Sequence, residues 1–196
     1  MSEIEKAANI LKRGGIVIFP TDTVFGIGCK VSDLDAIRRL YKIKSRKGKI
    51  PTHILVSNFK EAGKYALFSD QAKKLSDNFW PGPLTMVVKA KDTVPQLIKG
   101  PNNTIGIKQP NHKVVEDLIN LVGEAILAPS ANFTGETPPN KPSEIDKRLV
   151  NLVDYVVPND CGGSQISTIV EVTGSTHRFI RYGAISKEKI LDTLKE

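Results

Sequence analysis

The side chains in this chain that could hold a charged substrate are hydroxyls, amides and isolated cations, each set beside an apolar run. Thr21, Asp22 and Thr23 follow the unbroken apolar residues 16–20, and Ser130 and Asn132 follow the apolar residues 125–129. Lys108 closes the segment 104–108 just before Pro110, while Ser167 opens one late segment and Arg181 closes another. Lys44 and Arg46 belong to a run from Lys42 to Lys49 that carries five cations in eight residues. Thr, Ser, Asn, Lys and Arg bind anions through charge and hydrogen bonds, so a reaction built on them proceeds by positioning and charge stabilisation. Each group also has a plainer role. Asp22 and its threonines would cap their own turn, and the cation run would offset a helix dipole and face water. The sequence contains no Gly-x-x-x-x-Gly-Lys-Ser loop, no Gly-x-Gly-x-x-Gly, no HExxH motif and no Ser/His/Asp arrangement.

These groups need elements to position them. Residues 16–20 read as a strand buried on both faces, and Pro20 ends it because proline cannot donate to a ladder. Gly26 and Gly28, just beyond, would admit a ligand or another backbone. Ser2 with Glu5, and Ser32 with Asp35, are capping-box patterns ahead of apolar stripes at helical spacing. Lys44 and Arg46 can face one ligand only if the second helix stops near Lys44, since residues two apart on a helix diverge. Further helices are expected over 59–66 and 70–79, after Asn111, after Ser143 and over 187–195. Further strands are expected over 54–56, 84–89, 104–108, 125–129, 154–157, 167–172 and 178–181. Strands alternating with helices imply a three-layer α/β sandwich. The period-two patterns at 105–108 and 167–172 point to a mixed, twisted sheet. Residues 133–142 form a proline-rich segment suited to a lid.

The chain has 196 residues with 40% hydrophobic and 25% charged residues, which fits one soluble domain over 1–196. No run is long enough to span a membrane and no leader pattern is visible, so a cytoplasmic location is expected. Two distant cysteines and three scattered histidines offer no metal-ligand spacing, and the thiols are expected to be free. The net charge of +7 favours phosphate-bearing ligands, either nucleotide or RNA.

Seven ordered phrases resemble the YrdC/Sua5 family: Pro20-Thr-Asp-Thr-Val-Phe-Gly-Ile-Gly-Cys29, Lys44-Ser-Arg46, Phe79-Trp-Pro-Gly-Pro-Leu-Thr85, Gly106-Ile-Lys-Gln-Pro110, Pro129-Ser-Ala-Asn132, Ser167-Thr-Ile-Val170 and Arg181-Tyr-Gly183. The resemblance covers almost the whole chain and is to the single-domain form. It implies a YrdC-like fold with a positively charged concave cleft. The implied activity is threonylcarbamoyl-AMP synthesis, in which L-threonine, bicarbonate and ATP, with Mg2+, give threonylcarbamoyl-adenylate and pyrophosphate for t6A modification of tRNA. Downstream t6A transferase proteins are the implied partners. By motif, Thr23, Lys108 and Ser167 correspond to threonine-binding positions. Lys44, Arg46, Ser130, Asn132 and Arg181 correspond to ATP-binding positions, with the Lys44/Arg46 pair also catalytic.

Two departures stand out. Lys108 replaces an arginine, keeping the charge but losing the bidentate fork. Ile50 and Leu55 occupy places where some members carry asparagine and histidine. A carbamoyl-adenylate-forming maturation factor is a rival reading, though those long chains carry zinc-binding cysteines. A non-catalytic RNA-binding protein of the same fold is another.

Overall fold

The computed structural model describes residues 1–44, 52–163 and 165–195. The strands are β1 (Val17–Phe19), β2 (Gly26–Lys30), β3 (His53–Leu55), β4 (Ala66–Leu67), β5 (Leu84–Ala90), β6 (Thr104–Lys108), β7 (Ile126–Leu127), β8 (Tyr155–Val156), β9 (Thr168–Glu171) and β10 (Arg178–Arg181). The helices are α1 (Glu3–Lys12), α2 (Leu34–Ile43), α3 (Phe59–Ala62), α4 (Asp70–Phe79), α5 (Lys113–Val122), α6 (Lys147–Val150) and α7 (Lys187–Lys195). The strands form one sheet in the order β10-β9-β5-β6-β3-β7-β2-β1-β8, with β4 on the side of β5. The pairs β1/β8, β3/β6 and β5/β9 are parallel and the other described pairs are antiparallel. The expected mixed α/β sheet is therefore present.

Two cores lie against this sheet. Ile16 and Ile18 enter one core while Val17 and Phe19 enter the other, so β1 is apolar on both faces because both are covered. Helices α1 and α5 pack together over the second core, and α4 and α7 pack together on the side of the first. In β5, β6 and β9 only alternate residues reach a core: Leu84, Met86 and Val88; Ile105 and Ile107; Val170. The intervening Thr85, Val87, Thr104, Gly106, Ile169 and Glu171 line an open cavity. The period-two pattern thus marks the part of the sheet whose second face lines that cavity.

Local signals set most helix starts. Ser2 Oγ accepts from Glu5 N at 3.2 Å and Glu5 Oε2 from Ser2 N at 2.7 Å, completing the expected capping box. The second box does not form: Asp33 caps α2, accepting from Asp35 N and Ala36 N, while Ser32 donates to Glu124. A carboxylate at that position gains from the helix dipole as well as from the hydrogen bonds. His112, not Asn111, is the cap residue of α5. Asp146 caps α6, and the helix expected from Ser143 is a separate 3-10 turn, Pro142–Glu144. Helix α3 stops at Ala62, and Ala66–Leu67 pairs with β5 instead of prolonging it.

Candidate active site

The turn after β1 is organised by Thr21. Its hydroxyl donates to Val24 O at 2.7 Å, accepts from Thr23 N at 3.1 Å and lies 3.0 Å from Thr23 Oγ1. The expected self-capping by Asp22 is therefore absent, and its side chain turns to Lys108. The chain returns as β2, which the sequence pattern missed because two of its five residues are glycine. A side chain at Gly28 would lie 2.6 Å from Leu127 O, so that glycine admits the neighbouring strand. Gly26, bridged to Ser130, faces the cleft.

The cleft encloses about 50 Å³ and brings together Thr23, Lys108, Ser130, Ser167 and Arg181 with His53, Leu55 and Pro138. Lys108 sits at the end of β6 and donates to Asp22 Oδ1 at 2.7 Å and to Thr23 Oγ1 at 3.2 Å. Both members of this ion pair are buried, their side chains 3% and 7% exposed. Burial pushes the Lys108 ammonium below its ordinary value; Asp22 opposes that shift and Arg181 adds to it. Arg181, at the end of β10, donates from Nε and Nη2 to Ser167 O at 3.0 and 2.8 Å, and from Nη2 to Ser167 Oγ at 3.0 Å. Ser167 Oγ also lies 3.0 Å from Thr85 Oγ1, a contact that no sequence pattern signalled. Burial lowers the affinity of Arg181 for its proton.

At the other side of the cleft, β7 leads to Ser130, which lines it, and to Asn132, which does not. Hydrogen bonds from Ile27 N to Pro129 O and from Ala131 N to Phe25 O fix this segment, and Ser130 Oγ donates to Asn132 Oδ1 at 2.6 Å. Helix α2 ends at Ile43, so Lys44 is its C-cap. The Lys44 side chain is buried, 1% exposed. Its Nζ donates to Ser130 O at 2.5 Å, to Asn132 O, and to Asn132 Oδ1 at 3.4 Å. Lys44 thus supports the Ser130–Asn132 turn from behind. Arg46, with Gly48, Ile50 and Pro51, lies outside the described residues. The segment 133–142 is tied down by Thr134 Oγ1 donating to Lys44 O, Phe25 N donating to Pro139 O, and Asn132 Nδ2 donating to Glu136 O.

No His, Cys, Asp and Glu grouping suited to a metal occurs among the described residues. No described carboxylate lines the cleft, and nearby Asp22 is given to Lys108. A magnesium ion would therefore find its oxygen ligands mainly on a bound nucleotide's phosphates. A wider cavity of about 310 Å³ opens on the same sheet face, with His53 lining both spaces. Cys29 and Cys161 are free; burial raises their thiols to about 12 and about 11. Among the described residues no helix is long and apolar enough to cross a membrane.

Comparison with known proteins agrees with this arrangement. The Sua5/YciO/YrdC family model, described as telomere recombination, matches residues 9–183. A threonylcarbamoyl-AMP synthase from Pyrococcus abyssi is 30% identical over 198 residues, covering 99% of this chain, which spans 58% of that protein's length. A provisionally named threonylcarbamoyl-AMP synthase from Methanocaldococcus jannaschii is 36% identical over 193 residues, covering 96% of this chain and 91% of that protein. The crystal structure of P. abyssi Sua5 complexed with L-threonine superposes with a TM-score of 0.92 at 29% identity, covering 98% of this chain and 58% of the other. With the fold, the sequence match and the ordered motifs in agreement, the chain belongs to the Sua5/YciO/YrdC family.

Proposed function

We propose that this chain is a threonylcarbamoyl-AMP synthase, joining L-threonine, bicarbonate and ATP into threonylcarbamoyl-adenylate with release of pyrophosphate. The observation that carries the reading is the convergence of Thr23, Lys108, Ser130, Ser167 and Arg181, from five separate segments, on one cleft. Similarity over nearly the whole chain to relatives bearing that name supports it. In this reading Thr23 and Ser167, which line the cleft, hold the amino acid and Ser130 with Asn132 the nucleotide, with Lys44 a positioning residue through its hydrogen bonds to the Ser130–Asn132 turn. The threonine amine and bicarbonate condense to a carbamate with loss of water, a carbamate oxygen attacks the α-phosphate, and the bond to the β-phosphate breaks so that pyrophosphate leaves. Arg46, by its place in the motif, stabilises the charge on that leaving group. Magnesium supplied with ATP adds charge neutralisation when bound. The adenylate would feed t6A modification of tRNA.

The test is incubation of the protein with ATP, L-threonine, bicarbonate and Mg2+, following pyrophosphate and the adenylate product. Threonine-dependent release of pyrophosphate is expected. Release that ignores threonine, or none at all, overturns the proposal. Salt-sensitive RNA binding would not replace this test, because a surface of net charge +7 can show it without catalysis.

A further inference from the structure

Resting on the reading that the cleft binds anionic substrates, we infer that Asp22 is a positioning residue: it holds the Lys108 ammonium charged and fixed, so that the one N–H left over is presented to the cleft. Asp22 is not needed for its own turn, because Thr21 Oγ1 accepts from Thr23 N at 3.1 Å and donates to Val24 O at 2.7 Å. Its Oδ1 accepts from Lys108 Nζ at 2.7 Å, while its Oδ2 is buried without a hydrogen-bond partner among the described residues. The two side chains are 7% and 3% exposed. A buried ion pair of this kind is often no more stable than an apolar pair of similar volume, so stability alone does not account for it. An ammonium has three donors. Asp22 and Thr23 take two of them, and the third remains for the cleft that Lys108 lines.

The need for such a residue comes from the lysine itself. The family resemblance expects an arginine at position 108, and a guanidinium stays charged when buried, whereas an ammonium gives up its proton readily once desolvated. Burial pushes the Lys108 ammonium below its ordinary value; Asp22, from the turn after β1, opposes this through its charge and its hydrogen bond, and Arg181, from the end of β10, adds to it. Cys161 would support the charged form only as a thiolate, and burial holds its thiol up at about 11. His53, which lines the cleft from β3, is neutral or positive and cannot stand in for a carboxylate. Without Asp22, the influences that act on Lys108 near neutral pH all favour loss of its proton. Asp22 thus lets a lysine serve where an arginine is expected, and makes the charge in the cleft depend on one carboxylate.

The test is calorimetric titration with L-threonine and with ATP, separately, from about pH 6.5 to 9.5, of wild type, Asp22→Asn, Asp22→Asn/Lys108→Arg and Asp22→Glu. Taking each variant's affinity relative to wild type at the same pH cancels the ionisation of the ligands themselves. For the substrate that meets Lys108, Asp22→Asn should lose affinity progressively as pH rises, by about tenfold or more at the alkaline end, as expected for one charge-assisted contact. Asp22→Asn/Lys108→Arg should show no such slope, since a guanidinium needs no counter-ion to stay charged. Asp22→Glu keeps the charge but displaces it by one methylene, so it should lose affinity by the same factor at every pH; it also serves if Asp22→Asn does not fold by circular dichroism. Isotope-edited NMR of the lysine Cε groups, with Lys108 assigned from Lys108→Arg, needs no ligand and should show Lys108 titrating at lower pH in Asp22→Asn than in wild type. A loss in Asp22→Asn that is the same at every pH, a slope that survives Lys108→Arg, wild-type affinity in Asp22→Glu, or an unmoved Lys108 titration overturns the inference. If wild type binds neither threonine nor ATP, the proposed function falls, while the NMR titration still decides the role of Asp22.

Discussion

Removing one partner of the Lys108–Asp22 pair should cost far more than removing both. The two charges sit 2.7 Å apart at the back of the cleft. At an effective dielectric of about 20, Coulomb attraction at that separation is about 6 kcal/mol, most of it offset by desolvation. Lys108→Met abolishes the attraction but leaves Asp22 buried, so a loss of about 3–5 kcal/mol is expected. That is a large share of a global stability of about 5–15 kcal/mol, and it corresponds to a melting point lower by about 6–20 °C in a chain of this size. Adding Asp22→Asn to the same protein should restore most of the loss, giving a large favourable coupling in a double-mutant cycle. Urea unfolding followed by circular dichroism measures all four corners. The alkaline behaviour gives a second readout. Burial holds Lys108 below its ordinary value of 10.5, so between the folded and unfolded values the unfolded chain binds the extra proton. The contribution of this group to stability therefore rises with pH up to about 10.5 and is lost as pH falls. Lys108→Met should remove that slope relative to wild type. If each single variant costs less than about 1 kcal/mol, as an exposed pair would, or if the double variant is no better than Lys108→Met, the reasoning is refuted.

Gly183→Ala would place a Cβ 2.3 Å from Ile166 O and 2.6 Å from Ser167 C. It should therefore destabilise the fold by about 1–3 kcal/mol and weaken threonine binding through Ser167, as unfolding and calorimetry would show. Cys29 and Cys161, with thiols raised to about 12 and about 11 by burial, should alkylate much more slowly at pH 8 in the folded protein than in urea, by mass spectrometry; equal rates would contradict their burial. Their linkage has the opposite sign to that of Lys108: stability falls as pH rises above 9.0, where the unfolded thiols ionise first. Segment 133–142, whose Pro138 lines the cleft, should gain hydrogen-exchange protection when ATP and threonine bind together; equal protection with and without them would make it a fixed wall.

Elements set by near neighbours were legible in the amino-acid order alone. The Ser2/Glu5 box follows from side chains that reach their own helix, at contacts three residues apart. The unbroken apolar run ending at Pro20 read correctly as a strand with both faces covered, because burial on both faces leaves no polar alternate. The hydroxyl, amide and cationic types at strand ends were equally visible, and the cleft gathers six of them, Thr21 included. What those side chains touch was decided only in three dimensions. Asp22 lies 86 residues from Lys108 in sequence, yet strand register and exclusion of water make it the ammonium's partner instead of a turn cap. Lys44 belongs to a cation run that reads as solvent-facing, yet the end of α2 aims it at carbonyls 86 and 88 residues away. Strand β2 was invisible because two glycines carry no β signal; the close approach of Leu127 requires the one at Gly28. Capping geometry is settled within one helical turn, whereas the partner of a buried charge is settled by whichever opposite charge the sheet brings into the same water-free space, which no local spacing encodes.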